Sequence, residues 1–201
     1  MSLPITVVIP SIPPRADLLR TAVASIETQI LGLPAEVIIE MDTEHAGAAV
    51  TRDRGLRRVT TPWVAFLDDD DWFLPQHVGA LFDFAKLGDF DYAYSWFETW
   101  PAGGDPFPST HFTEPWNPAE PRQTTITTLV RTELAQEVGF VTMPEGGEVA
   151  GQRAGEDWDF TLKCNELGKI GHLVERTWIW RHWGFGQPGI PGNTSGLGSR
   201  W

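Results

Sequence analysis

A single cysteine, Cys164, stands among the 201 residues. That excludes an internal disulfide and any zinc site built on several thiolates. Cys164 shares a helical stripe with Phe160 and Leu167, which predicts a buried structural thiol rather than a catalytic one. Long apolar runs are missing too. No stretch has the length of a membrane span, and the N-terminus lacks the apolar core of a signal peptide. A soluble, cytoplasmic protein is expected. Basic charge is scarce: 15 Lys and Arg face 27 Asp and Glu, a net charge of -12. Nucleic-acid binding releases counterions through cationic patches, so long DNA or RNA is a less expected partner. Docking on anionic membranes gains no support either. Internal repeats are absent.

What is present is a core and an alternating pattern. Apolar residues make up 41% of the chain and charged residues 21%, which fits one folded domain with only local disorder. Residues 5–10 read as a short buried strand, broken by Pro13 and Pro14. Asp17 is placed to cap a helix over 17–29, with Leu18, Ala22 and Ile26 on one face. Residues 36–39 read as a second strand and 46–59 as a second helix, carrying Arg52, Arg54, Arg57 and Arg58. Residues 63–67 read as a third strand, and Pro75 opens a helix with Val78, Leu81, Phe82 and Ala85 at helical spacing. Such alternation implies a mostly parallel sheet with right-handed crossovers, covered on both faces because its strands are continuously apolar.

After residue 100 the texture changes. Residues 101–121 are rich in Pro and Gly and read as a surface excursion or an acceptor-facing loop. A strand over 124–130 and a short helix over 133–138 follow. Residues 142–154 read as a flexible Gly-rich loop, and a helix runs from 155 to about 167, ended by Gly168. A strand over 173–183 sets Trp178, Trp180 and His182 on one face. Residues 184–201 read as a flexible tail.

The third strand ends in Asp68-Asp69-Asp70-Asp71. A solvated acidic turn is one reading of such a run. The other is a divalent-cation site, because carboxyl ends of parallel strands are where α/β sheets bind ligands. Strand geometry puts Asp68 and Asp70 on one side, and paired oxygen donors suit Mg²⁺ or Mn²⁺. The loop after Pro10 leaves the same edge. Glu156 and Asp157 open a helix, where they either cap it or provide, in Asp157, a general base toward a hydroxyl. His182 is structural or an imidazole ligand that would favour Mn²⁺. The arginines of 52–58 form a solvated helix face, or one of them meets a pyrophosphate. Ten tryptophans pack a core or form platforms for sugars and bases; composition does not choose.

In this order the segments resemble a family 2 glycosyltransferase of the GT-A fold, over residues 4 to about 184. Val8-Ile9-Pro10-Ser11 is similar to that family's opening strand and nucleotide-binding loop. Ser25-Ile26-Glu27-Thr28-Gln29 resembles the end of its first helix, and Arg52-Asp53-Arg54-Gly55-Leu56 its Arg-Asn-x-Gly-hydrophobic segment. Phe66-Leu67-Asp68-Asp69-Asp70-Asp71 matches its hydrophobic-Leu-Asp-x-Asp-Asp signature. Gly155-Glu156-Asp157-Trp158-Asp159-Phe160 matches the later Glu-Asp motif.

The resemblance implies a Rossmann-like, mostly parallel α/β sheet flanked by helices, with a small C-terminal acceptor-side region. It implies one catalytic domain: a nucleotide-sugar half over 1–100, an acceptor half over 101–183, and the tail. The implied reaction is an inverting, metal-dependent transfer from a nucleotide sugar, expected to be a UDP-sugar, to an acceptor hydroxyl. The acceptor is a protein, a glycan, a small molecule or a modified base. Asp70 is then the main ligand of Mn²⁺ or Mg²⁺, with His182 beside it. Asp157 is the base and Glu156 its neighbour. Pro10, Ser11, Arg15, Asp42, Arg52, Asp68 and Asp69 fall at donor-binding positions, Asp69 and Asp71 also serving as spacers or turn caps.

Three segments depart from the family pattern. Glu40-Met41-Asp42-Thr43 stands where the family has Asp-Asp-x-Ser, Asp53 replaces an Asn, and Pro13-Pro14-Arg15 replaces a Tyr-Asn-Arg-like stretch. Two rival functions are a nucleotidyltransferase and a non-catalytic nucleotide- or glycan-binding module. The first calls for a Gly-rich loop after the first strand, and Ser11-Ile12-Pro13-Pro14-Arg15 has no glycine.

Overall fold

Apolar β-branched residues dominate the start of the chain, and they build the centre of the sheet. The computed structural model describes residues 2–101, 104–142, 148–149, 152–153 and 155–181. Strand β1 (Ser2–Ser11) leads through a 3₁₀ turn (Pro13–Arg15) into helix α1 (Ala16–Glu27), and β2 (Leu33–Met41) leads into α2 (Ala48–Leu56). Next come β3 (Trp63–Phe66), β4 (Trp72–Phe73), α3 (His77–Gly88) and β5 (Tyr92–Trp100). The second half holds α4 (Thr110–Thr113), β6 (Thr128–Arg131), α5 (Thr132–Val138), β7 (Glu148–Val149), β8 (Gln152–Arg153), α6 (Glu156–Leu167) and β9 (Ile170–Arg181).

Seven strands form one sheet in the order β2-β1-β3-β6-β5-β9-β4. β1 runs parallel to β2 and β3, and β5 parallel to β9. β6 is antiparallel to both its neighbours, and β4 antiparallel to β9. Five strands therefore point one way, and the carboxyl ends of β1, β2, β3, β5 and β9 lie along one edge. Register shifts between Tyr94 and Phe97 bend the β5–β9 pair. Val7, Val8, Ile9, Val64 and Phe66 are completely buried, as helices on both faces require. Among the described residues, no helix is long and apolar enough to cross a membrane.

Several expected boundaries move, each for a local reason. Asp17 does not cap α1: it lies in the first turn and pairs with exposed Arg20, while Arg15 occupies the cap position and sends its side chain to Asp69 rather than to the helix end. The helix expected over 46–59 shortens to Ala48–Leu56, and its start is set by Gly47, whose left-handed φ of 91° is not helical. Pro75 lies ahead of α3 rather than inside it, and its carbonyl accepts the Ile30 N–H. Residues 124–127 carry no strand pairing, so β6 is shorter than expected. The Gly-rich 142–154 stretch contains a small pairing of Glu148 with Arg153 and Val149 with Gln152, where only loop was expected. On α6, Phe160 and Cys164 are buried but Leu167 is exposed, so the expected apolar stripe ends one turn early. The expected tail lies outside the described residues.

Two packing features place the later functional helices. Helix α2 lies so close on β1 that a Cβ at Gly55 would sit 2.6 Å from Val8 Cγ1. Phe140 stacks on Phe160 at 4.4 Å, and Phe66 meets both rings edge-on at 5.2 and 5.8 Å. That cluster pins the start of α6 beside the end of β3.

His77, at the start of α3, has no solvent exposure. Its Nδ1 lies 2.6 Å from Thr177 Oγ1, its ring stacks on Phe73 at 4.0 Å, and Nε2 has no partner. Burial pushes the imidazole down to about 3. The unfolded chain therefore takes up this proton below the usual value of 6.5 while the folded ring stays neutral, so stability falls as pH falls through that window. Between pH 6 and 4, wild type should lose unfolding free energy relative to His77→Gln by up to about 1.4 kcal/mol per pH unit. Urea unfolding of both proteins across that range checks this; parallel pH curves would refute it.

Candidate functional site

The parallel strands deliver three loops to one edge. β1 ends at Pro10 and Ser11, both buried, and the Asp42 N–H donates to the Ser11 carbonyl at 2.8 Å. β3 ends one residue before the acidic cluster, with the Leu67 N–H on the Val8 carbonyl. The four aspartates then divide by burial. Asp69 has no exposure and binds Ser11 Oγ at 2.7 Å and Arg15 Nη1 at 2.8 Å. Asp71 is buried and accepts the Arg181 N–H at 2.8 Å. Asp69 therefore ties the loop to β1, and Asp71 ties it to β9. Asp68 and Asp70 keep partly open side chains.

Oxygens of Asp68, Asp70 and Asp71 lie within 4.8 Å of one another. Burial and then the neighbouring carboxylates push Asp70 up to about 7, against the pull of Arg15 at 3.5 Å. The same causes raise Asp71 well above the ordinary carboxylate range. Crowded acidic oxygens held away from water fit a hard divalent cation, which would restore their charged forms. Asp69 is also raised, by burial first, with Arg15 and Ser11 opposing.

A second pair of carboxylates arrives from α6. Arg52, on α2, is buried and forked: Nη2 binds Asp68 at 2.6 Å and Nη1 binds Glu156 at 2.5 Å. Burial works against its charge, but Asp68 and Glu156 more than offset this, so the guanidinium is held more firmly protonated than usual. Its Nε has no hydrogen-bond partner among the described residues. Arg52 was expected among the solvated or pyrophosphate-facing arginines. It is buried rather than solvated, and it joins the acidic cluster to the Glu-Asp motif. Its position gave a signal: it shares a helix face with buried Ala48, Ala49, Gly55 and Leu56. The other arginines of the stretch behave as a solvated face, with Arg54 on Glu44, Arg57 on Asp53 and Arg58 on Glu40.

Asp157 is half-buried at the first turn of α6. Its Oδ1 accepts the Trp158 N–H at 2.8 Å, and Oδ2 has no hydrogen-bond partner among the described residues. Burial, then Glu156, raises it to about 6, with Arg52 pulling the other way. Such a carboxylate is ionised at neutral pH yet basic enough to take a proton.

Asp42 is buried, and its two oxygens accept the N–H groups of Glu44, Ala46 and Gly47 at 2.9–3.1 Å. Burial alone would raise its pKa; these amides outweigh it, and the carboxyl is held below the usual range. Asp42 thus shapes the loop that starts α2. His182 lies outside the described residues.

Removing the buried Arg52 fork leaves two half-buried carboxylates unpaired. Arg52→Leu should cost about 3–5 kcal/mol of unfolding free energy, and Arg52→Lys, which keeps charge but loses the fork, distinctly less. Denaturant midpoints of the three proteins decide; equal midpoints would remove the bridge from this account.

A family model described as glycosyl transferase family 2 matches residues 25–134, which include Arg52 and all four aspartates. No curated protein matches the chain. Among solved structures, S. aureus TarS residues 1–349 is 15% identical, with a TM-score of 0.69 over 88% of this chain and 60% of that one. Its complex with UDP is 17% identical, with a TM-score of 0.70 over 89% and 60%. Its complex with UDP-GlcNAc is 16% identical, with a TM-score of 0.70 over 90% and 59%. This chain thus spans about 60% of the length of the first two structures, and at that identity the likeness is one of fold. The family model covers more than half of the sequence, including Arg52 and the acidic loop it binds, so the chain belongs to glycosyl transferase family 2.

Proposed function

We propose that the chain is the catalytic domain of an inverting glycosyltransferase that moves a sugar from a UDP-linked donor to an acceptor hydroxyl. One observation carries the reading: Arg52 brings the Asp68–Asp71 loop and the Glu156-Asp157 pair to one place. A binding module has no use for a carboxylate of raised pKa with an open oxygen beside a cation site. A nucleotidyltransferase is disfavoured because the first loop is a 3₁₀ turn whose Arg15 is buried against Asp69, not a glycine cradle for a triphosphate. The UDP and UDP-GlcNAc bound to TarS in structures of the same fold support a UDP-sugar donor.

In this mechanism Asp157 Oδ2 receives the acceptor hydroxyl. It takes the proton as the acceptor oxygen forms its bond to the anomeric carbon, and the bond from that carbon to the diphosphate oxygen breaks with its electron pair. Attack from the face opposite the leaving group inverts the anomeric centre. The Trp158 N–H holds Asp157, while the charge of Glu156 raises its basicity and that of Arg52 lowers it. Asp70, with Asp68 and Asp71, would hold Mn²⁺ or Mg²⁺, which supplies neutralising charge for the departing diphosphate. Asp42 shapes the loop on the nucleotide side, and Pro10, Ser11 and Arg15 frame the same opening.

Asp157→Asn should lower transfer by about 10²–10⁴-fold while the affinity for UDP stays the same, because the base acts on the acceptor. Mn²⁺-supplemented assays of UDP release from UDP-GlcNAc and other UDP-sugars, with calorimetric UDP titration, test both halves. An undiminished rate in the variant would sink the base assignment. In wild type the rate should rise with pH through about 6, as Asp157 loses its proton. A rate flat from pH 5 to 8 would contradict that.

Metal binding is read separately through stability. Mn²⁺ at about 100 times its Kd should stabilise wild type by about 2.7 kcal/mol. The Asp70→Asn variant should lose most of this increment; an equal Mn²⁺-induced rise in Tm in both proteins would count against Asp70 as a ligand.

A further inference from the structure

The sequence left the tryptophans unsorted, and the structure sorts them. Trp63, Trp96, Trp158 and Trp178 are core residues, and Trp116 and Trp180 pack against the core. Trp100 is 48% exposed, and Trp72 is half-buried. These two indoles lie together, with ring centroids 6.0 Å apart and planes at 66°. The Arg181 guanidinium covers both, 5.0 Å from the Trp72 ring and 5.1 Å from the Trp100 ring.

Strand register explains the grouping. Trp100 of β5 pairs with Arg181 of β9, and Trp72 of β4 pairs with Ile179, so the three side chains share one face of three adjacent strands. Glu98, two residues before Trp100, lies on that same face, exposed and with no ion pair or hydrogen bond among the described residues. The group is fixed to the acidic loop: the Arg181 N–H binds Asp71, and its Nε donates to the Asp70 carbonyl at 2.9 Å.

We propose that Trp100, Trp72, Arg181 and Glu98 form an acceptor platform for a pyranose ring, so that the acceptor is a saccharide. This rests on the reading of the site as a sugar transferase. A pyranose offers a patch of C–H groups that stacks on an indole face, and a rim of hydroxyls that bonds to carboxylate and guanidinium. Here an open indole, a carboxylate and a guanidinium stand within one strand pairing of each other. Position favours the acceptor rather than the donor nucleotide. Ser11, Arg15 and Asp42 lie by β1 and β2, whereas the platform lies by β5, β9 and β4, with the acidic loop bonded to both sides.

The test uses ¹⁵N-indole NMR of the full chain, with cellobiose, N,N′-diacetylchitobiose, maltose and lactose as probes, and UDP with Mn²⁺ titrated separately. Trp100→Phe and Trp72→Phe assign the two signals. At least one disaccharide should shift the Trp100 indole while the buried Trp96, Trp158 and Trp178 signals stay still. Trp100→Ala should weaken that disaccharide about tenfold, with UDP affinity unchanged and the buried indole signals confirming the fold. Trp100→Phe should keep most of the binding. The proposal falls if no disaccharide moves the Trp100 signal, if Trp100→Ala binds as well as wild type, or if UDP moves that signal instead. Should disaccharides bind at Trp100 while UDP does not bind wild type at all, the platform stands as a saccharide surface and the transferase reading fails.

Discussion

The site depends on one buried guanidinium. Arg52 reaches Asp68 with one nitrogen and Glu156 with another, joining segments 88 residues apart, as 156 − 68 shows. A buried ion pair is weak evidence for net stability, because desolvation offsets the Coulomb gain. Its contribution here is register. A planar fork accepts two carboxylates only at set distances and angles, so the acidic loop and the first turn of α6 are held in one relation. The apolar core delivers both partners. Close α2–β1 contact at Gly55 sets the depth of Arg52, and the Phe66–Phe140–Phe160 cluster sets that of α6.

The same constraint organises the electrostatics. Four adjacent aspartates would repel each other if all faced one way. The loop instead turns Asp69 toward Arg15 and Ser11 and ties one oxygen of Asp71 to the backbone of β9, while oxygens of Asp68, Asp70 and Asp71 stay within 4.8 Å of one another. Asp157 is balanced in a similar manner. Burial and Glu156 raise its pKa, and Arg52 holds it down, which keeps it near 6 rather than protonated at neutral pH. Aromatic packing works alongside: Trp63, Trp96, Trp158 and Trp178 build the core, and Trp100 with Trp72 remains at the rim under Arg181.

Much of this was legible before any coordinates. The Ile-Thr-Val-Val-Ile run is too apolar to lie anywhere but a covered strand, and it became β1, with parallel partners on both sides. The helical spacing of Val78, Leu81 and Ala85 became the buried face of α3. Acidic residues at the end of a buried strand marked the site edge, because parallel sheets present their carboxyl ends to ligands. Boundaries were less legible where a single backbone angle decided them, as Gly47 does for α2. Asp42 shows another limit. Its residue type suited a ligand contact, and no local pattern showed that it would also bind the N–H groups of Glu44, Ala46 and Gly47.

By itself the sequence determined the alternation of strands and helices through the first half and the acidic run that closes a buried strand, because periodicity and local charge are properties of neighbours in the chain. Only the tertiary structure decided which of those residues meet. Arg52 differs from Arg54, Arg57 and Arg58 through its burial between two distant motifs, and Trp100 differs from Trp96 through the side of a bent strand it occupies. Both distinctions come from long-range pairing across the sheet, which no local pattern encodes.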